Sequence, residues 1–164
     1  MDMKNKVALL GVLTALALIF SYVESLIPIH FAIPGMKLGL ANVIVVIVLY
    51  KIGFKEAFLV SIIRVIVAGF LFGNLMSVLF SLAGSSFSLV MMKLLYKRNM
   101  FSTIGISVIG AVFHNLGQIM VAMIVVESFS VMYYFAFLMI SGVVTGVVIG
   151  IVANEMMKRV KVIS

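Results

Sequence analysis

The chain has no cysteine, no tryptophan, two prolines and a single aspartate, Asp2. The lack of cysteine excludes disulfides, thiolate metal sites and thiol chemistry. The two histidines are far apart, and no group of histidine and carboxylate residues has the spacing of a metal site. Glycine-rich nucleotide-binding motifs and a nucleophile elbow are absent as well. We therefore predict that the chain is not an enzyme and binds no metal or cofactor.

Charge is also scarce, because only 10% of the residues are charged while 65% are hydrophobic and the mean hydropathy is +1.34. A soluble domain needs far more polar surface than this composition supplies. Apolar runs of about 20 residues are long enough to cross a bilayer as helices. We predict an all-α polytopic membrane protein that forms one integral membrane domain, residues 1–164. Its six transmembrane helices are expected near residues 7–27, 38–50, 56–75, 77–96, 101–126 and 131–154.

Ten of the 12 basic residues lie at the ends of these runs, and all ten fall on one side of the membrane if there are six spans. The positive-inside rule then places both termini in the cytoplasm. Because the basic residues are spread over short loops, the net charge of +7 indicates topology and not nucleic-acid binding. The ten are Lys4, Lys6, Lys51, Lys55, Lys93, Lys97, Arg98, Lys158, Arg159 and Lys161.

The first two runs each depart from a simple span. The first runs unbroken to Ile27 without a cleavage site, so we interpret it as a retained span and not as a signal peptide. The second, residues 38–50, would reach only about 20 Å as a helix. Irregular backbone at that depth must be covered by protein or line a cavity. The segment from Pro28 to Lys37 is therefore predicted to cap or wall a cavity that opens to the outside.

Hydrogen-bonding side chains concentrate in the outer half of the predicted bundle. His114 and Gln118 share a face of the fifth span with Asn115 beside them, and a row of serines that includes Ser81 and Ser85 follows one side of the fourth. Each could be an interhelical hydrogen bond worth about 1 kcal/mol. Together they favour a pocket that captures a small molecule from outside. The predicted lining is His114, Asn115, Gln118, Asn42, Lys37, Glu24, Arg64, Ser81 and Ser85.

Lys37 and Arg64 are the two cations that the topology leaves unexplained. An intramembrane arginine costs a few kcal/mol unless it is paired or reaches the interface. Arg64 could extend toward the cytoplasm, pair with Glu24, or reach the cavity. In the last case the captured molecule carries an anionic group.

Two helix faces are lined with small residues, which allow close approach of another backbone. Ala8, Gly11 and Ala15 form a stripe on the first span that suits either packing within the bundle or docking of a partner. Gly142, Gly146 and Gly150 recur every four residues on the last span. For these glycines we expect internal packing, with homodimerisation as the alternative.

Three segments resemble the Gx transporter family, also catalogued as heptaprenyl diphosphate synthase component I: residues 34–42 (PGMKLGLAN), 81–85 (SLAGS) and 110–118 (GAVFHNLGQ). The family is similar to substrate-capture S components of energy-coupling factor transporters. That resemblance implies an outward pocket, a small-residue face on the first helix that docks a membrane coupling subunit, and two cytoplasmic ATPases. Gly11 stands where alanine is usual in that face.

The resemblance implies a multi-pass subunit in a bacterial cell membrane that captures a small organic nutrient. The alternative is a non-catalytic accessory subunit of an isoprenoid, quinone or electron-transfer assembly. A catalytic role in prenyl-chain synthesis is disfavoured, because one aspartate cannot form the aspartate-rich motifs that hold magnesium against a diphosphate.

Overall fold

Six α-helices make up most of residues 2–27, 39–98 and 101–159, the parts of the chain that the computed structural model describes. These ranges contain no β-strand, and the prediction of an all-α protein is confirmed. A short 3₁₀ helix, Phe129–Tyr134, precedes the last helix. The six helices are α1 Met3–Leu26, α2 Leu40–Lys51, α3 Phe54–Phe72, α4 Leu75–Tyr96, α5 Thr103–Val126 and α6 Phe135–Arg159.

Four helical segments of the described chain are long and apolar enough to cross a membrane: α1, α4, α5, and α6 together with the 3₁₀ helix. The other two helices fall short for different reasons. α2 has only 12 residues, and α3 carries three charged residues, Lys55, Glu56 and Arg64, among its 19. The protein is a polytopic membrane protein, and two of its helices need the others around them.

α2 lies in the core of the bundle. All of its residues from Val43 to Leu49 are buried, and α1, α3 and α6 pack around it. A helix that is hydrophobic on every side is expected to be enclosed by others. The helix begins after Gly39, whose φ of 77° is the left-handed conformation that glycine adopts without strain. Polar space lies beside and beyond this first turn.

Contacts between helix ends agree with the predicted topology. At the end that is predicted to be cytoplasmic, the Nζ of Lys6 on α1 forms an ion pair with Glu56 on α3. At the same end the rings of Tyr50 and Tyr96 meet with their centroids 4.7 Å apart. At the opposite end the rings of Tyr22 and Phe72 lie 5.1 Å apart. In each case the two residues lie near helix ends that the predicted topology places on the same side of the membrane.

Glycines allow α5 to pack tightly against both of its neighbours. A Cβ added to Gly117 would lie 2.9 Å from the carbonyl oxygen of Ala83 on α4. One added to Gly146 on α6 would lie 2.5 Å from the Cα of Val108 on α5, and one at Gly150 would lie 2.6 Å from the Cα of Ile104. The internal packing predicted for the glycines of α6 is confirmed.

Candidate functional site

Three spaces with polar side chains in their linings follow one another along the described bundle, from the end predicted to face outside toward the end predicted to be cytoplasmic. The outer cavity lies among α1, α3 and α4, and its lining includes Ser21, Glu24, Arg64, Gly73, Ser77 and Ser81. The middle pocket lies at the first turn of α2, and its lining includes Glu24, Gly39, Asn42, Arg64, Ser81, His114, Asn115, Gln118 and Thr145. The inner chamber lies deeper, and its lining includes Asn42, Ser61, Ser85, Ser88, Ser107, His114 and Ile149.

The three spaces become smaller from the outer cavity to the inner chamber, and neighbouring spaces share lining residues. Their cavity volumes are about 220, 50 and 20 Å³. Glu24, Arg64 and Ser81 line both the outer cavity and the middle pocket. Asn42 and His114 line both the middle pocket and the inner chamber. The three spaces are therefore neighbours along the bundle, and together they are called the polar path below.

Serines along α4 mark the length of this path. Ser77 lines the outer cavity, Ser81 the outer cavity and the middle pocket, and Ser85 and Ser88 the inner chamber. Ser88 lies eight residues before the cytoplasmic end of α4, which corresponds to about 12 Å. Only the upper serines of this row were predicted to lie in the outer half, and Ser88 was not among the predicted lining residues. The path passes beyond the middle of the helix because the serine row continues along one face.

Arg64 lies at the junction of the outer cavity and the middle pocket. Its Nη2 donates a hydrogen bond of 3.2 Å to the Oδ1 of Asn42 on α2. Its Nε is buried and finds no hydrogen-bond acceptor among the described residues. The side chain is directed into the polar path and not toward the cytoplasmic surface. An arginine with an unused buried N–H can still donate to an anion.

Glu24 faces the same junction from α1. One of its carboxylate oxygens accepts a hydrogen bond from the backbone N–H of Gly39, just before α2. Its negative charge also lies within electrostatic range of Arg64. Glu24 thus ties the outer part of α1 to the start of the core helix, and it brings a negative charge close to the guanidinium.

His114, Asn115 and Gln118 of α5 all line the middle pocket, and Asn115 has a second role. The Nδ2 of Asn115 donates a 2.6 Å hydrogen bond to the carbonyl oxygen of Leu138 on α6. Asn115 therefore joins two helices as well as lining the pocket. His114 lines both the middle pocket and the inner chamber, and Gln118 lies above it on the same face.

Several polar lining residues were not among those predicted from sequence, and two of them lie on helices α3 and α6. Ser61 on α3 is 1% exposed and lines the inner chamber. Thr145 on α6 lines the middle pocket. Ser61 precedes Arg64 by three residues, so it shares a helix face with the intramembrane cation. That spacing could have identified Ser61 as a lining residue from the sequence. Nothing in the local sequence of Thr145 distinguishes it as one.

One predicted lining residue, Lys37, lies outside the described residues. So does the segment Pro28–Lys37 that was predicted to cap the cavity. The other eight predicted residues line the polar path: seven of them surround the middle pocket, and Ser85 lies in the inner chamber. Whether they bind a molecule stays a prediction.

The small-residue face of α1 is exposed. Ala8, Gly11 and Ala15 all lie at the surface of the described chain. A Cβ added to Gly11 would have no described atom within 4 Å, apart from its own helix. This stripe is therefore not used for packing within the described bundle, unlike the glycines of α6.

The composition and arrangement define a class of protein, a polytopic α-helical membrane protein with a polar path inside an apolar bundle. Residues 13–156 match the family model described as heptaprenyl diphosphate synthase component I. The match covers most of the chain, so the protein belongs to that family, and the resemblance to the Gx transporter family is confirmed. No curated protein matches the chain.

Proposed function

We propose that this protein is the substrate-capture S component of an energy-coupling factor uptake transporter in a bacterial cell membrane. It takes a small organic nutrient from the outer side into the polar path. A membrane coupling subunit and two cytoplasmic ATPases complete the transporter. The chain itself carries out no catalysis, and the ATPases supply the energy.

The observation that carries this proposal is the set of groups around the middle pocket. A guanidinium, a carboxylate, an imidazole and three amides converge there within a bundle that is otherwise mostly apolar. Ionisable residues at membrane depth are costly and commonly mark the path of a substrate or ion. A few polar groups that converge on a concave space are also typical of small-molecule sites.

Arg64 specifies the charge of the captured molecule. Its buried Nε has no acceptor among the described residues, while one Nη2 hydrogen bond goes to Asn42. A carboxylate, phosphate or sulfonate group at this point would accept hydrogen bonds from the guanidinium N–H groups that are still without an acceptor. Glu24 partly offsets the cation and would select against molecules with a second negative charge beside the first.

The exposed face of α1 supports the docking part of the proposal. Ala8, Gly11 and Ala15 present a shallow surface along one helix, and no described residue of this chain covers it. Small residues allow the helix of a partner to approach closely in a membrane, where van der Waals contact drives association. We assign this face to the coupling subunit.

The test is native mass spectrometry of the gently purified protein, which should show a retained small anionic molecule. Once that molecule is identified, its affinity is measured for Arg64→Gln and His114→Ala. Loss of a charge-assisted hydrogen bond is worth about 1.5–3 kcal/mol, so Arg64→Gln should weaken binding about 10- to 150-fold. Unchanged affinity in both variants would remove the pocket assignment.

Asn115→Ala needs a separate control because Asn115 also bonds the carbonyl oxygen of Leu138. Its thermal stability must be measured beside its affinity. Thr14→Val is the matched control, since Thr14 donates to its own helix at Leu10 and lines none of the three spaces. Thr14→Val should keep full affinity.

The second candidate function is a non-catalytic accessory subunit of an isoprenoid, quinone or electron-transfer assembly. The description of the family, heptaprenyl diphosphate synthase component I, favours it. A diphosphate is an anion and could accept hydrogen bonds from Arg64. Co-purification with a prenyl synthase, and not with ATPases, would favour this candidate over the first.

A further inference from the structure

The inner chamber contains two buried hydroxyl groups that the fold does not satisfy. Ser85 on α4 and Ser107 on α5 are each 3% exposed and line the chamber. Neither Oγ has a hydrogen-bond partner among the described residues. A buried polar group without a partner costs about 1–3 kcal/mol, so such groups are normally paired with protein, water or a ligand.

Several other serine and threonine hydroxyls in the helices donate to their own helix. Thr14 donates to Leu10, Ser21 to Ala17 and Thr145 to Ser141, in each case to a carbonyl oxygen four residues earlier. This is the usual solution for serine and threonine in apolar helices. Ser85 and Ser107 could have used it as well, but both side chains are directed into the chamber instead.

The walls of the chamber determine what it can accept. Its lining contains hydroxyls, the Asn42 amide, the His114 imidazole and apolar side chains, but no lysine, arginine, aspartate or glutamate. An ionised group there would lack a counter-charge in a medium of low dielectric constant. The volume of about 20 Å³ suits one water-sized group. Through Asn42, the chamber adjoins the pocket that holds Arg64.

We propose that Ser85 and Ser107 form an inner subsite that takes a small uncharged hydrogen-bonding group, such as a hydroxyl, a carbonyl or a ring nitrogen. The same molecule places its anionic group at Arg64. This inference rests on the proposed function, and it narrows the substrate class to elongated molecules that enter with their neutral polar end first.

The chain lacks cysteine, so a single introduced thiol can be followed without background. Ser85→Cys and Ser107→Cys are each treated from outside, in sealed vesicles of outward orientation, with two membrane-impermeant thiol reagents. One is the anionic sulfonatoethyl methanethiosulfonate and the other the cationic trimethylammonioethyl compound. Each rate is divided by the rate of that reagent with free 2-mercaptoethanol.

The anionic reagent resembles the proposed substrate, since its reactive end reaches the thiol while its sulfonate lies near Arg64. We expect it to react about tenfold faster than the cationic reagent after normalisation. Adding Arg64→Gln should abolish the preference. No reaction from outside at either cysteine, or an equal normalised rate for both reagents, would overturn the inference.

Ser86→Cys is the matched control, because Ser86 neighbours Ser85 but lines none of the three spaces. Its thiol should react more slowly than that of Ser85→Cys and without charge preference. Two neutral reagents then test the polarity of the chamber, hydroxyethyl and propyl methanethiosulfonate. Ser85→Cys should favour the hydroxyethyl reagent, relative to Ser86→Cys, by a factor of about 2–10 for one hydrogen bond. Preference for the propyl reagent would contradict a polar subsite.

The two proposals fail separately. If Arg64→Gln weakens binding of the retained molecule but the thiols at 85 and 107 stay unreactive, the capture function stands and the inner subsite is wrong. If the thiols react with the expected preference but the protein co-purifies with a synthase and not with ATPases, the subsite stands and the transporter assignment is wrong.

Discussion

The small-residue faces of α1 and α6 have similar patterns in sequence and opposite environments in the structure. Gly146 lies against the backbone of α5, so close that an added Cβ would be 2.5 Å from the Cα of Val108. Gly11 has no described atom of another element within reach of an added Cβ. The spacing of small residues therefore indicates which helix face can make close contact. It does not indicate which helix will contact that face, because this depends on the rest of the fold. On α6 the partner is α5, whereas on α1 no described residue covers the face, and we propose a partner subunit for it.

The largest effect that tests this comparison is expected at Gly146. Gly146→Ala inserts a methyl group against backbone atoms, which cannot move aside as a flexible side chain would. Overpacking of this kind costs about 1–3 kcal/mol. Thermal unfolding in detergent should show a clear loss of stability. A stability equal to that of the wild type would mean that α5 and α6 are not packed as described.

At Gly11, the same substitution to alanine should change the stability in the opposite direction. Alanine favours a helix over glycine by up to about 1 kcal/mol, and at Gly11 nothing opposes the added methyl. Gly11→Ala should therefore unfold at the same temperature as the wild type or at a slightly higher one. A loss like that of Gly146→Ala would show that the α1 face is covered within the protein.

The smallest effect is expected at the cytoplasmic end of α1. Lys6 is partly exposed and forms an ion pair with Glu56 on α3. Exposed ion pairs contribute about 0–1 kcal/mol and are screened by salt. Lys6→Gln should lower stability slightly at low ionic strength and not at all in about 1 M salt. A large loss that salt does not reduce would show that this pair holds α1 in place.

The positions of the helices could be predicted from sequence because apolar run length and charge placement follow directly from the bilayer. Five of the six helices begin and end within four residues of the predicted spans at both ends, and α6 extends five residues beyond its predicted end. The central position of α2 could be inferred only in part. Its short length indicated an unusual setting, but burial on every side depends on how the other helices surround it.

The types of residue that line the site could be predicted from the sequence, but how far the site extends into the bundle could not. His114, Gln118 and Arg64 were identified because polar groups are rare in apolar spans. Whether a serine hydroxyl donates to its own helix or stays without a partner depends on packing, so Ser21 and Ser85 look alike in sequence and differ in structure. The structural use of Asn115 at Leu138 likewise depends on a neighbour 23 residues away.

The most direct test of the capture function is co-purification of Gly11→Leu from membranes of the native host. We predict that it folds and retains the small molecule found with the wild type, but loses the coupling subunit and both ATPases. Ala136→Leu, which enlarges an exposed small residue on α6, should keep the small molecule as well as the coupling subunit and the ATPases. If Gly11→Leu still co-purifies with the ATPases at the level of the wild type, the α1 face is not the docking surface. If wild-type protein brings down no ATPase at all, the transporter assignment is contradicted.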